Sequence, residues 1–568
     1  MGVYLGVFDG HNAAAAVFSD GRCIAALQEE RLNRIKNYHG IPEQAVRGVL
    51  QLAGLRPEDV SQVWIASNYI STPRLPEERL AAFDDRYKRS VRQQATRFVA
   101  NTSAYRRYRA GQRMEERRHT VAGWGFEPER VHFSAHHATH AAAAYYGLRQ
   151  DDDPYLILTL DGGGDGLCGS VWTARNGKLE HLHDVAEQNS LGEIYAVTTH
   201  MLGFVPLEHE YKLMGMAPYA ARSYAEKVAE IYHGYLDVDS GPPPRWRRKV
   251  PEALKQIGPR LQRDLVRVRF DNICAGLQLF TEDLVTRWVR AWVEATGIRR
   301  VLASGGVFMN VKANKAVSEL DPVDWFEAFP SCGDESLALG TCYMGAQLDG
   351  QDIQPLQHYY LGPEPDQAEC EAALEGVGGL ELEQPADMAK RVAQLLAEGH
   401  IVARAAGPME FGARALGNRS ILADPINQDV VRVVNQMIKK RDFWMPFAPV
   451  VKRQHADRHF VNPKGLVSPY MMNTFDSTET RSEFMAAVHT ADLTARPQIV
   501  EAGQNPAYEA ILDEFTALTG RHVLLNTSFN LHGEPIVCSA ADAVRVLLES
   551  GLERLILGRY LVTKKTKT

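Results

Sequence analysis

Tyr155-Leu156-Ile157-Leu158-Thr159-Leu160-Asp161-Gly162 is an apolar run that ends in Asp-Gly, and its reading decides the fold. Aliphatic, aromatic and β-branched residues followed by a turn pair describe a buried strand that stops abruptly. An open glycine loop over 162–166 follows, then a strand over 168–173, an Asn176-Gly177 turn and a third strand over 179–182. About 150 residues earlier the same order occurs: Tyr4-Leu5-Gly6-Val7-Phe8-Asp9-Gly10, a small-residue strand over 13–18, an Asp20-Gly21 turn, and a strand over 23–27. Asp-Gly is a common turn, so two unrelated hairpins would be the plain alternative. Three strands and two turns recurring in one order favour a duplicated unit.

Actin-like ATPase domains are built from such a duplication, with two lobes that each offer an Asp-Gly loop to phosphates. Glycine lets backbone N–H groups approach an anion, and a neighbouring carboxylate can hold a cation. A third element fits this plan. A strand over 300–303 runs into Ser304-Gly305-Gly306-Val307-Phe308-Met309-Asn310, a Gly-Gly opening toward a helix that resembles an adenosine-binding element. Gly162, Gly163, Gly305, Gly306 and Asn310 are therefore the expected nucleotide-binding positions, together with Glu193 near the ribose; Lys212 is a candidate for the phosphates, with a structural salt bridge as the even alternative.

His136-His137-Ala138-Thr139-His140 begins an alanine-rich segment that reads as helix. Residues four apart share a helix face with Cβ atoms about 6 Å apart, so His136 and His140 can close on one ion. Zinc peptidases place Glu after the first His as general base; this chain has His137 there. Two carboxylates are candidates to complete the set: Asp161, which ends a strand, and Asp334, in a loop opening onto an Ala/Gly-rich helix. Each has an ordinary alternative, as a turn residue and a helix cap respectively. Two imidazoles and two carboxylates suit a divalent ion such as Fe²⁺, Mn²⁺ or Zn²⁺.

Composition sets the outer limits. At 568 residues, two or three domains are expected. A net charge of −7 gives no global reason to expect nucleic-acid binding. The seven cysteines are scattered and never spaced C-x-x-C, which argues against a disulfide framework and a Cys₄ zinc site. Neither a signal-like leader nor a run of about 20 apolar residues is visible, so a cytoplasmic protein without membrane attachment is expected. Proline and glycine steps over 351–365 suggest a linker between a domain at 1–350 and another at 366–568.

In that second part, a strand over 401–404 precedes a glycine loop carrying Arg414 and Arg419. Lys439-Lys440-Arg441 ends an apparent helix, and Arg496 follows Thr494-Ala495. Guanidinium groups grip phosphate through paired donors. Arg414, Arg419, Lys439, Arg441 and Arg496 are the expected anion site, although a cationic helix end is by default a solvated one. Asn526, Ser528 and Asn530 supply short polar groups beside a strand end, suited to orienting an amide; their plain alternative is a turn.

Several stretches carry a family resemblance. His11-Asn12-Ala13-Ala14, Gln28-Glu29-Glu30-Arg31, the His136–His140 segment, Lys212-Leu213-Met214-Gly215-Met216-Ala217, Ser304-Gly305-Gly306-Val307, Gly412-Ala413-Arg414-Ala415-Leu416-Gly417-Asn418-Arg419-Ser420 and Leu525-Asn526-Thr527-Ser528-Phe529-Asn530 resemble the NodU/CmcH-type O-carbamoyltransferases. The resemblance implies an α/β protein. Its N-terminal domain would be a duplicated actin-like (ASKHA) one, similar to threonylcarbamoyl-transferring enzymes, and its C-terminal domain α/β and YrdC-like. It also implies a reaction in two stages. Carbamoyl phosphate and ATP, with Mg²⁺ accompanying the nucleotide, give carbamoyladenylate in the C-terminal domain. The carbamoyl group then moves to a hydroxyl of a natural product or sugar at the N-terminal metal site. His11 is the expected base, an imidazole near its ordinary pKa of about 6.5, with Asn12 beside it. A phosphate-donor role for His11 is the even alternative.

The chain departs from the family pattern at Pro408 and Met445, where positive charges are usual; Lys440 or Arg404 are candidate substitutes. Residues 76–118 are rich in arginine (Arg86, Arg89, Arg92, Arg97, Arg106, Arg107, Arg109, Arg113, Arg117, Arg118) with aromatic and acidic residues between. They read as a solvated helical hairpin, forming the wall of an acceptor site, in preference to an RNA-facing surface. Residues 242–249 read as a mobile loop. Two other functions compete. Carbamoyl transfer to a protein thiol of the HypF type expects paired C-x-x-C motifs that are absent here, and a non-catalytic nucleotide sensor would not need the histidine pair. A homodimer is compatible with everything above.

Overall fold

The computed structural model describes residues 2–69, 76–87, 103–239 and 241–565. The chain divides into two compact units, one of residues 1–29 and 37–356, the other of residues 30–36 and 357–568. The seven cysteines are buried and free, and no helix among the described residues is long and apolar enough to cross a membrane.

The first unit contains two five-stranded sheets. Strands β1 (Tyr4–Phe8), β2 (Ala14–Ser19), β3 (Arg22–Gln28), β4 (Gln62–Ala66) and β5 (Val131–Ser134) lie in the order β3-β2-β1-β4-β5. Strands β6 (Tyr155–Gly164), β7 (Leu167–Arg175) and β8 (Lys178–Ala186) form the second antiparallel meander. With β11 (Arg300–Ser304) and β12 (Trp325–Ala328) parallel to β6, the order is β12-β11-β6-β7-β8. The two sheets thus share strand order and strand directions. Tyr4–Phe8 are buried throughout, as are the first six residues of β6, which is why both read as continuous apolar runs rather than alternating ones.

Two expectations are corrected in this unit. The 162–166 stretch is not an open loop: β6 continues through Gly164, which pairs with Leu167. The reversal is confined to Asp165 and Gly166, at φ 54° and 87°. Positive φ at both positions is what a two-residue hairpin turn demands, and Asp-Gly supplies it. The 242–249 stretch is not a bare loop either. Strand β10 (Arg245–Arg248) pairs with β9 (Leu236–Asp239), and Trp246 is buried with its ring 5.4 Å from that of Trp288 while Arg245 and Arg247 face out. One buried aromatic between outward arginines anchors the ribbon.

The second unit is built on eight strands. They are β13 (Leu380–Glu383), β14 (Val402–Ala405), β15 (Arg419–Ala423), β16 (Ala448–Lys452), β20 (Gln498–Val500), β21 (Val523–Ser528), β22 (Arg554–Leu557) and β23 (Tyr560–Lys564), in the order β13-β23-β22-β14-β15-β21-β16-β20. A smaller sheet joins β17 (Phe460–Val461), β18 (Phe475–Ser477) and β19 (Thr494–Ala495). Successive strand residues face opposite sides, and the core shows it. Val402, Leu422, Val450, Leu524 and Ile556 pack with Leu395, Leu396, Ile511 and Phe515 of helices Met388–Ala397 and Pro506–Thr519. Their neighbours Ala403, Ile421, Leu525 and Leu555 pack on the other side with Val544 and Leu547 of helix Ala540–Glu549.

Candidate active site

The histidine pair sits where β5 hands over to helix His136–Leu148. Asp165 fixes this helix start, its carboxylate accepting from the backbone N–H of His136 at 2.9 Å and of Asn68 and Tyr69. Each of the two imidazoles is held from behind. Ser67 Oγ is 2.8 Å from His136 Nδ1, and Ser304 Oγ is 3.1 Å from His140 Nδ1. Both Nε2 atoms therefore point the same way, each 3.3 Å from Asp161 Oδ2 and 3.7 Å from Asp334 Oδ1. The four donor atoms lie within 4.8 Å of one another. Three segments, the helix start at His136–His140, the β6 residue Asp161 and the loop at Asp334, thus converge on one point.

The chemistry of this donor set fits a divalent cation. Burial and the neighbouring Asp161 charge push the Asp334 carboxyl well above the usual range. Burial works the same way on Asp161, but hydrogen bonds from the two imidazoles overcome it and hold that carboxyl well below the usual range. Two carboxylates this close cannot both ionise without a compensating charge, and a dication supplies one. Serine support of the imidazoles is the outer shell that fixes tautomer and ring direction. Ser304→Ala is expected to lower cation affinity by roughly ten- to a hundredfold, measured by metal titration of the folded variant.

The expected nucleotide positions fall into two groups. Gly162 donates its N–H to Asp161 Oδ1 at 2.6 Å, and a Cβ on Gly306 would sit 3.1 Å from the same atom. Gly305, at φ 100°, passes so close to Leu160 that a Cβ would meet its carbonyl oxygen at 2.4 Å. Gly164 backs onto the histidines: a Cβ there would lie 2.2 Å from His136 Cγ. Glu193 lies in the first turn of helix Leu191–Met201, whose Gly192 packs on Asp161 and Gly162. Gly162, Gly306 and Gly192, the residue before Glu193, thus border Asp161, while a Cβ on Gly163 would meet Glu187 at 2.9 Å. Asn310 and Lys212 are engaged elsewhere. Asn310 caps helix Val311–Ser318 and exchanges hydrogen bonds with Gln278, while Lys212 Nζ lies 5.3 Å above the Phe204 ring.

His11 and Asn12 occupy the first Asp-Gly loop. Burial, with the Arg79 and His39 charges, pushes His11 down to about 3. That corrects the expectation of an imidazole near its ordinary value, because sequence does not report burial. His11 Nε2 and Asn12 Oδ1 are buried without a hydrogen-bond partner among the described residues, as a pair awaiting a ligand would be.

Arg117 is the residue the sequence reading missed. Its guanidinium grips Asp9 through two hydrogen bonds of 2.6 and 2.7 Å and donates to the carbonyls of Ala66 and Ser67. It is 8% exposed, not solvated. By holding Ser67 it supports the serine behind His136. The arginines Arg89, Arg92 and Arg97 lie outside the described residues, and so do the side chains of Arg86, Arg106, Arg107 and Arg109.

In the second unit the cations separate by role. Burial, with the Arg414 and Arg441 charges, drives Arg496 well below the usual guanidinium value. Lys439 is buried at the end of a wide π turn, Asn435–Lys439, not a solvated helix end. Its ammonium donates to Ser528 Oγ at 3.1 Å and Asn530 Oδ1 at 2.7 Å, and burial with the Arg441 and Lys36 charges lowers its pKa strongly. Arg441 donates to Thr527 Oγ1 and stacks 4.9 Å from the Phe447 centroid. Asn526 donates to Ala415 O and Gln498 Oε1, leaving a buried Oδ1 without a partner among the described residues.

Arg419 is committed to the backbone instead. Fully buried, it donates to the carbonyls of Cys538, Gly407, Asn418 and Pro363. Its neighbour Arg404 is likewise committed to Gly417 and Asn418, and Lys440 is exposed. Segment 30–36 belongs to this unit: Arg31 pairs with Glu30 at 2.7 Å and donates to Gly412 O at 2.7 Å.

Gathered cations invite an anion but strain the fold. A lysine held below its usual pKa weakens the fold by a penalty that grows as pH falls below about 10.5, where the unfolded chain takes up the proton, and is complete below the lowered value. Lys439→Met is expected to raise stability by about 1–2 kcal/mol at neutral pH, read by denaturant unfolding.

Taken together, these arrangements describe a two-unit α/β enzyme. Residues 3–343 match the model of the carbamoyltransferase N-terminus and residues 393–564 that of the carbamoyltransferase C-terminus. The chain belongs to the carbamoyltransferase family. It is 33% identical over 564 residues to nodulation protein NolNO of Sinorhizobium fredii, covering 98% of this chain and 79% of the relative. It is 28% identical over 578 residues to an uncharacterized protein of Methanocaldococcus jannaschii, covering 99% of each. With nodulation protein NolO of Bradyrhizobium diazoefficiens it shares 33% identity over 76% of this chain and 79% of the relative.

Proposed function

We propose that this carbamoyltransferase is an ATP-dependent O-carbamoyltransferase working in two stages. Its first unit would be a duplicated actin-like domain and its second a YrdC-like domain. Carbamoyl phosphate, water and ATP give carbamoyladenylate, phosphate and pyrophosphate in the second unit. The acceptor hydroxyl of a small molecule then attacks the carbamoyl carbon in the first unit, the C–O bond to the adenylate phosphate breaks, and AMP leaves. The convergence of His136, His140, Asp161 and Asp334 beside Gly162 and Gly306 carries this reading.

In the second unit, Arg414, Arg441, Arg496 and Lys439 bind the donor phosphates, and the Asn526 amide oxygen accepts from the carbamoyl NH₂. In the first unit, the four convergent side chains hold a divalent cation, for which Fe²⁺ is the choice. Bound there, it would supply Lewis-acid stabilisation of charge on the departing phosphate. Gly162 and Gly306 leave room for that phosphate beside Asp161. His11, neutral across the physiological range, orients the acceptor by accepting its hydrogen bond. The proton transfers as the new bond forms and the hydroxyl becomes acidic. Burial of the loop keeps water from the anhydride.

Incubating the purified protein with ATP and carbamoyl phosphate tests the first stage. Pyrophosphate release that depends on carbamoyl phosphate supports the reading; its absence in folded protein would contradict it.

A further inference from the structure

We propose that His459, Glu483 and His522 form a second divalent-cation site, for Zn²⁺, in the second unit and independent of the transfer centre. Their three donor atoms lie within 4.8 Å of one another. His459 ends helix Arg453–His459, Glu483 ends the turn Glu479–Glu483, and His522 immediately precedes β21. Three segments separated in sequence thus meet at one point, and none of the three residues takes part in the reaction proposed above.

Geometry favours an ion over a plain hydrogen bond. His459 Nε2 and His522 Nδ1 face each other at 3.3 Å. Two ligands on a tetrahedral zinc with bonds of 2.0–2.1 Å are also about 3.3 Å apart. Hydroxyl bookkeeping sets the tautomer. Thr478 Oγ1 donates to Arg458 O at 2.7 Å, and Thr480 Oγ1 is 2.8 Å from Thr478 Oγ1. With the Thr480 hydroxyl donating to Thr478, its oxygen accepts from His459 Nδ1, 2.8 Å away. That leaves Nε2 as a bare lone pair aimed at the cluster, the outer-shell arrangement of a ligating histidine.

The other two donors are also prepared. Arg458 occupies Glu483 Oε1 at 2.7 Å, while Oε2 is buried with no hydrogen-bond partner among the described residues. The His522 ring is fixed by stacking on His455, with centroids 4.0 Å apart and planes 23° apart. Two imidazoles and one carboxylate are a zinc donor set that leaves a fourth position for water.

Chelator-stripped full-length protein should bind one more equivalent of Zn²⁺ than His522→Gln does. In a His136→Ala/His140→Ala background, which removes the transfer centre, one equivalent should remain. It should disappear on adding His522→Gln or Glu483→Gln. Substituted Co²⁺ should give a tetrahedral visible spectrum that His522→Gln abolishes. Equal zinc uptake by wild type and His522→Gln would overturn the proposal and leave a hydrogen-bonded histidine pair. That comparison stands alone if the double-alanine background does not fold, and it is indifferent to the outcome of the pyrophosphate assay.

Discussion

Replacing His140 by alanine is expected to cut acceptor carbamoylation by about a hundredfold to ten-thousandfold while carbamoyl-phosphate-dependent pyrophosphate release continues. The magnitude follows from losing several kcal/mol of charge stabilisation on the leaving phosphate. His140 is fully buried and its Nε2 stands 3.3 Å from Asp161, so removing it leaves two carboxylates facing a single imidazole. His136→Ala should behave alike. Metal content should fall with carbamoylation in both variants, and circular dichroism checks the fold. Pyrophosphate release that falls in parallel in a folded variant would assign both stages to one site, against the division of labour proposed here.

Arg496→Met is expected to do the reverse. Charge-assisted hydrogen bonds contribute about 1.5–3 kcal/mol each, so kcat/KM for pyrophosphate release should fall by roughly ten- to a hundredfold. Cation content of the first unit should be untouched. Stability should hold or rise, since burial disfavours the Arg496 charge and the neighbouring Arg414 and Arg441 both repel it. Arg419→Met makes the contrasting case. Four backbone carbonyls would lose this donor; Pro363 O and Asn418 O keep backbone donors, but those of Gly407 and Cys538 lose theirs, at about 1–3 kcal/mol each. Loss of folded protein, rather than of phosphate affinity, is the expected outcome there.

The contrast between these two arginines shows where sequence stops informing. Both occur in glycine- or threonine-flanked segments, and both read as anion binders. Only the fold shows that the Arg419 guanidinium points into carbonyls contributed by Pro363, Gly407, Asn418 and Cys538, residues spread over a large part of the unit. Local patterns fared better. Continuous burial of β1 and β6 made both strands readable, and the Asp20-Gly21 and Asn176-Gly177 turns follow from backbone chemistry alone. The His136 and His140 spacing is a helical fact, so their shared face was legible. That Asp161 and Asp334 reach the same point depends on strand order, which spacing does not encode.

Arg117 illustrates the same limit. Among so many arginines its composition reads as solvated surface, and its partner Asp9 lies 108 residues upstream. The pairing also separates the two Asp-Gly loops chemically: Asp9 is neutralised by a guanidinium, whereas Asp161 faces the histidines. His459 and His522 are 63 residues apart, and nothing in the sequence joins them. His11 was legible as a polar loop residue, but its low pKa arises from burial and from Arg79 and His39, which only packing reveals.

Anomalous diffraction from crystals of the metal-loaded protein, collected at the iron, zinc and manganese edges, tests the central claim most directly. A single strong peak within bonding distance of His136 Nε2, His140 Nε2 and the Asp161 and Asp334 carboxylates is the predicted result, and the edge at which it appears identifies the ion. Ordered density for all four side chains with no anomalous peak among them would contradict the proposed transfer centre.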